Sequence, residues 1–117
     1  MATIHSYTTI EQSRKLAEIL PLESADMYYD RGGLPSLIDK YVTHESIKNN
    51  KYQHLIPCWS LSALFSVLPK IQGGKPIIAL DDNYITYPHM SDLHTKADEP
   101  VDACVAMIEK LKELNLL

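Results

Sequence analysis

The sequence predicts an α+β fold: a small antiparallel β-sheet, built from a hairpin with possible edge strands, covered by three helices. Three observations carry the prediction. A short capped helix is written into residues 56–69, and a longer amphipathic helix into residues 100–115. Between them, two β-prone runs flank Asp81-Asp82-Asn83, the pattern of a hairpin. At 117 residues the chain fits a single α+β domain, 1–117, with enough length to build a core without metal or disulfide staples.

Taken in order, Thr8-Thr9-Ile10-Glu11-Gln12 offers two overlapping capping boxes, Thr8 with Glu11 and Thr9 with Gln12. The helix that follows is expected to run to about Leu20, where Pro21 closes it. Ile10, Leu16, Ala17 and Leu20 mark its packed side, and Glu11, Lys15, Arg14 and Glu18 its solvated side. Leu22 to Asp26 fits one helical turn, Met27-Tyr28-Tyr29 reads as extended, and Arg31-Gly32-Gly33 as a turn. Leu34, Leu37, Ile38 and Tyr41 suggest a helical turn or two beginning near Pro35. The polar segment His44 to His54 has no sustained period and reads as surface loop.

The stretch Ile56 to Pro69 (IPCWSLSALFSVLP) is expected to be the piece around which the chain packs. Ser60 is a good N-cap, and Trp59 with Leu64 has the spacing of a hydrophobic staple. Leu61, Leu64, Phe65 and Leu68 form one helical face, with Ser62 and Ser66 opposite and Pro69 as the stop. Gln72 to Lys75 is a turn; Pro76 to Leu80 and Tyr84 to Tyr87 are the hairpin strands, and Leu93 to Lys96 adds an edge strand. Pro100 suits the first position of the last helix, and Asp98, Glu99 and Asp102 place negative charge at its positive end. Val101, Cys104, Val105, Ile108, Leu111 and Leu114 or Asn115 then follow the helical period.

Composition narrows the function classes. With 45% hydrophobic and 22% charged residues, the chain is of ordinary globular composition. A net charge of −4 with no Lys/Arg cluster argues against nucleic acid as the main partner, because phosphate neutralisation needs a basic surface. No apolar run approaches a membrane span and the N-terminus has no apolar signal region, so the expectation is a cytoplasmic protein that does not bind membrane. Two cysteines, Cys58 and Cys104, are too few for a disulfide framework and read as reduced core thiols.

Three stretches together carry a resemblance: TTIEQSRKLAEIL running into PLESADMYY, the IPCWSLSALFSVLP segment, and the hairpin ending in ADEPVDACVAMIEKL. In this order they resemble a group of small uncharacterised proteins of gut bacteria and their phages, prophages or mobile elements. The similarity covers most of the chain outside about Arg31 to Leu55, with Trp59 to Leu64 as its most specific part. Relatives often carry more aromatic residues in the hairpin strands, where this sequence has Ile and Tyr. The resemblance implies a genomic setting and no known activity, and it supplies no catalytic residues.

Candidate chemistry is sparse. Cys58 lies two residues before a helix N-cap, a position that can activate a thiol, but Pro57 and Trp59 around it favour packing. None of the five histidines (His5, His44, His54, His89, His94) is placed beside it by spacing. His89 and His94 with Asp92 between them lack zinc-site spacing, Asp81-Asp82 are ordinary turn residues, and Gly73-Gly74 does not form a phosphate loop. No catalytic residue, cofactor or metal is therefore assigned. Tyr28, Tyr29 and Tyr41 form the candidate protein-interaction group, because tyrosine joins apolar area to a polar tip. Two readings follow. One is an accessory protein that acts by binding a protein partner or itself. The other is a small enzyme or ligand-binding domain with a site built from dispersed Cys and His residues.

Overall fold

A computed structural model describes residues 6–39, 42–49, 55–71, 74–79, 84–87 and 90–117. The architecture is α+β, with α-helices and two three-stranded antiparallel sheets among the described residues. The chain divides into two compact units, Tyr7–Ala63 and a second drawn mainly from Leu64–Leu117.

The first unit opens on helix α1, Ile10–Ala17. Of the two capping boxes in the sequence, the Thr9 and Gln12 pair forms: the Gln12 amide donates to Thr9 Oγ1 at 3.1 Å and the Thr9 amide to Gln12 Oε1 at 3.0 Å. That choice frees Thr8 to turn inward, where it is fully buried. The packed side of α1 is Ser13, Leu16 and, beyond its end, Leu20; Ile10 and Ala17, expected inside, are exposed. Leu22–Ser24 is a single 3-10 turn.

The first sheet has the order β2-β1-β3, with β1 Met27–Tyr29, β2 Pro35–Leu37 and β3 Ile56–Cys58. Two of these strands correct the sequence reading. Pro35–Leu37, expected to begin a helical turn, pairs Leu37 with Met27 and Ser36 with Tyr28. The intervening turn folds it back: Asp30 Oδ1 accepts from the Gly32 and Leu34 amides, both at 2.9 Å, and Gly33 takes φ 81°, a conformation that suits glycine. Ile56–Cys58, for which no strand was expected, pairs with the other side of β1, and the helix of this stretch begins after the Ser60 cap as read. A third correction lies at His44–Lys48, helix α2, in a segment expected to be loop. Thr43 caps it, accepting from the Ser46 amide, and His44 Nε2 lies 2.6 Å from the Ala25 carbonyl. A carbonyl only accepts, so Nε2 carries the proton.

Helix α3, Leu61–Val67, spans the division between the units. Its expected cap is present: Ser60 Oγ accepts from the Ala63 amide at 3.1 Å. Leu64 and Leu68 are buried while Ser62 and Ser66 are exposed, as the period requires.

In the second unit the sheet order is β4-β5-β6, with β4 Ile77–Ala79, β5 Tyr84–Tyr87 and β6 Met90–Lys96. The expected hairpin and edge strand are therefore there, and the edge strand begins three residues earlier than expected. Asp81 to Asn83, which the sequence makes the hairpin turn, lie outside the described residues. Helix α4, Pro100–Glu113, packs along β5 and β6 and buries Val101, Ala103, Cys104, Val105, Met107, Ile108 and Leu111. Thr95 ties sheet to helix by donating to the Ala103 carbonyl at 2.7 Å. The helix ends in a Schellman motif: Asn115 adopts φ 57°, its amide bonds the Lys112 carbonyl, and the Leu116 amide bonds that of Leu111. Leu114, counted in the period, is beyond the packed part and half exposed.

Candidate functional site

Side chains alternate across a strand, so neighbours in sequence cannot share a face. In β1 this separates the two adjacent candidate tyrosines. Tyr29 shares its face with Cys58 and points inward, with 6% of its surface exposed. Its hydroxyl donates to the Thr8 carbonyl, and its ring meets that of Tyr7 edge-on at 6.3 Å. Tyr29 is therefore an interior residue and not a surface anchor. Tyr28 lies on the opposite face with Ser36 and Pro57 and is half-buried. Tyr41 lies outside the described residues.

Around Tyr29 the structure assembles a buried polar knot that the sequence reading did not foresee. Thr8 Oγ1 is 2.7 Å from Ser13 Oγ, accepts from the Trp59 amide at 3.1 Å and contacts Cys58 Sγ at 3.5 Å. The Thr8 amide returns a bond to the Trp59 carbonyl at 2.9 Å. Thr8, Ser13, Cys58 and Trp59 are all fully buried. Beside the knot, Trp59 Nε1 donates to Ser24 Oγ at 2.9 Å, and Ser24 donates in turn to the Pro21 carbonyl at 2.6 Å. Asp26 receives both the amide and the hydroxyl of Ser60, fixing the start of α3. Among the described residues every buried side-chain nitrogen or oxygen has a partner.

This knot contains serine, threonine, tyrosine and cysteine, yet it is built for packing. Burial raises the Cys58 thiol above its ordinary range, outweighing the hydrogen bonds from Thr8, Ser13 and Tyr29 that pull it down. Burial likewise pushes the Tyr29 phenol up to about 12, with Cys58 and Tyr7 adding to the effect. The thiol therefore stays protonated at neutral pH and fully buried, whatever its distance from a helix start. Cys104, on α4, is also fully buried and pushed up to about 12. His44 is engaged with Ala25, and exposed His94 stacks on Tyr84 with ring centres 5.6 Å apart. His5, His54 and His89 lie outside the described residues. Among the described residues, no group of three His, Cys, Asp or Glu side chains is arranged to hold a metal ion.

Among the described residues of the first unit are two shallow hollows. One, about 230 Å³, is lined by Ala17, Leu20, Leu22, Ile47, Leu55, Pro57 and Trp59. The other, about 280 Å³, is lined by polar residues of α2 and its cap, Thr43, Glu45, Ser46 and Asn49. Both fall short of the roughly 300–1,000 Å³ of small-molecule sites. The exposed apolar surface lies elsewhere. Leu34, just before β2, and Leu37, its last residue, are 66% and 67% exposed, and Ile77 of β4 is 55% exposed. No helix among the described residues is long and apolar enough to cross a membrane. No protein-family model matches this sequence, and neither a curated protein nor a solved structure matches it.

Proposed function

We propose that the chain is a non-enzymatic accessory protein that acts through protein–protein interaction, with β2 and the turn before it as the contact region. The observation that supports this reading is the exposure of Leu34, just before β2, and of Leu37, its last residue, on the strand that pairs with β1 at half-buried Tyr28. Single exposed leucines are common; Leu34 shares the Tyr28 face of the sheet, and Leu37, three positions on, adds apolar surface on the other face of the same edge strand. The tyrosine anchor of this reading narrows to Tyr28, since Tyr29 is committed to the interior. The alternative of an enzyme or ligand site built from dispersed Cys and His gains no support from a sealed, protonated Cys58. The setting proposed for the protein is the one its resemblance implies, in gut bacteria and their phages or mobile elements.

The test compares wild type with a Tyr28→Ala, Leu34→Asp, Leu37→Asp variant, first checked for native circular dichroism. Tagged protein is used to recover partners from host cells, and self-association is followed by sedimentation. Loss of a specific partner, or of self-association, in the variant is the expected result. Recovery of the same partners by both proteins would remove β2 as the contact region.

A further inference from the structure

The hydrogen-bond parity of the first sheet places a proline on each of its two edges. Opposite residues of antiparallel strands alternate between pairs that exchange backbone bonds and pairs that do not. The Asp30 amide bonds the Leu34 carbonyl and the Ile38 amide bonds that of Asp26, so the bonded pairs along β1 and β2 are 30 with 34, 28 with 36, and 26 with 38. Leu34, Ser36 and Ile38 consequently face β1 with their backbone groups, while Pro35 and Leu37 face away from it. On the other side, Met27 and Tyr29 bond toward Cys58 and Ile56, which leaves Pro57 facing away from β1 on β3. At both outward positions the amide hydrogen that an incoming strand would need does not exist.

We infer that Pro35 and Pro57 are edge guards, which keep this sheet from adding a strand of another chain. The device matters most on β2. Its surroundings, Leu34-Pro35-Ser36-Leu37-Ile38, are apolar and partly exposed, the combination that templates edge-to-edge pairing. With Pro35 in place, the Leu37 amide is the single outward donor within the strand, too few for a ladder. The β3 edge is further occupied where the Thr8 amide bonds the Trp59 carbonyl. A partner therefore meets β2 through side chains and not by extending the sheet.

Two measurements test this. Hydrogen exchange on the wild-type protein reads the parity directly: the Leu37 amide should exchange at least about tenfold faster than the Ser36 amide, which is bonded to β1. Equal protection of the two amides would overturn the assignment. The second measurement is the Pro35→Ala variant, which restores an outward donor without touching any bond to β1. It should show concentration-dependent association by sedimentation under conditions where wild type does not, with a gain in protection at Leu37. A Pro35→Ala protein that folds and sediments like wild type would sink the guard role.

Discussion

At the residue scale, Trp59 ties separate parts of the first unit together. Its backbone exchanges bonds with Thr8, its indole reaches Ser24, and none of its surface is exposed. Trp59→Ala should cost about 3–5 kcal/mol in urea unfolding, the range for emptying a buried aromatic site. A shift in midpoint equivalent to under about 1 kcal/mol would show that the site collapses around the smaller side chain. The two cysteines give a second check. Both are fully buried with raised thiol pKa, so alkylation of the native protein at neutral pH should be slow and should speed up on unfolding. Rapid, selective labelling of Cys58 would reopen the question of a reactive thiol.

The buried phenols make stability depend on alkaline pH with a definite sign. Tyr29 and Tyr87 are both pushed from the ordinary 10 up to about 12 by burial, and Cys104 from 9 up to about 12. The folded chain thus holds these protons more tightly than the unfolded chain. Their contribution is whole below about pH 9, and it is lost as pH rises toward about 12. Urea midpoints should therefore fall across that interval. A spectrophotometric titration in which every tyrosine of the native protein ionises near 10 would contradict it.

At the element scale, the start of α3 shows how local and distant chemistry combine. Ser60 caps the helix in the ordinary way, but its own hydroxyl and amide are held by Asp26, thirty-four residues earlier. Ser60→Ala removes the cap and one of the two bonds to Asp26, so a loss of about 1–2 kcal/mol is expected, at the upper end for a cap. Asp26→Ala leaves the cap but removes both bonds to Ser60, so it should cost a comparable amount. If both variants melt with wild type, the junction is not coupled to stability. The elements that sequence reading missed have a shared cause. Pro35–Leu37 and Ile56–Cys58 are three-residue strands, too short for a period of two to register, and each contains a proline. His44–Lys48 is too short for a helical period as well, although the Thr43-to-Ser46 cap was present to be read.

At the scale of the whole molecule, charge sets the expectation. With a net charge of −4 and no basic cluster, binding to DNA at about 150 mM salt should be no tighter than the roughly 10⁻⁴–10⁻⁶ M of non-specific contacts. A sub-micromolar affinity, read by fluorescence anisotropy, would overturn the proposal that nucleic acid is not a partner.

Sequence alone determined the elements whose signals are local. The Thr9 box, the Ser60 cap, the α4 period from Val101 to Leu111 and the hairpin runs are set by residues within four positions of one another. The buried positions Leu64 of α3, Leu68 just past its end, and Val101, Cys104, Val105, Ile108 and Leu111 of α4 followed from the same short-range periodicity, whereas buried Ala63, Ala103 and Met107 did not. Tertiary structure decided everything that needed a partner far along the chain. Thr8 became a buried hub because Trp59 and Ser13 met it there, and Tyr29 went inward because its face of β1 is the one that meets Thr8 and Cys58. The strands themselves exist only as pairs, since an extended backbone satisfies its amides and carbonyls on another strand and not within itself. For that reason the strand at Pro35, and the outward face of its missing amide, were decided by the fold and not by the five residues around it.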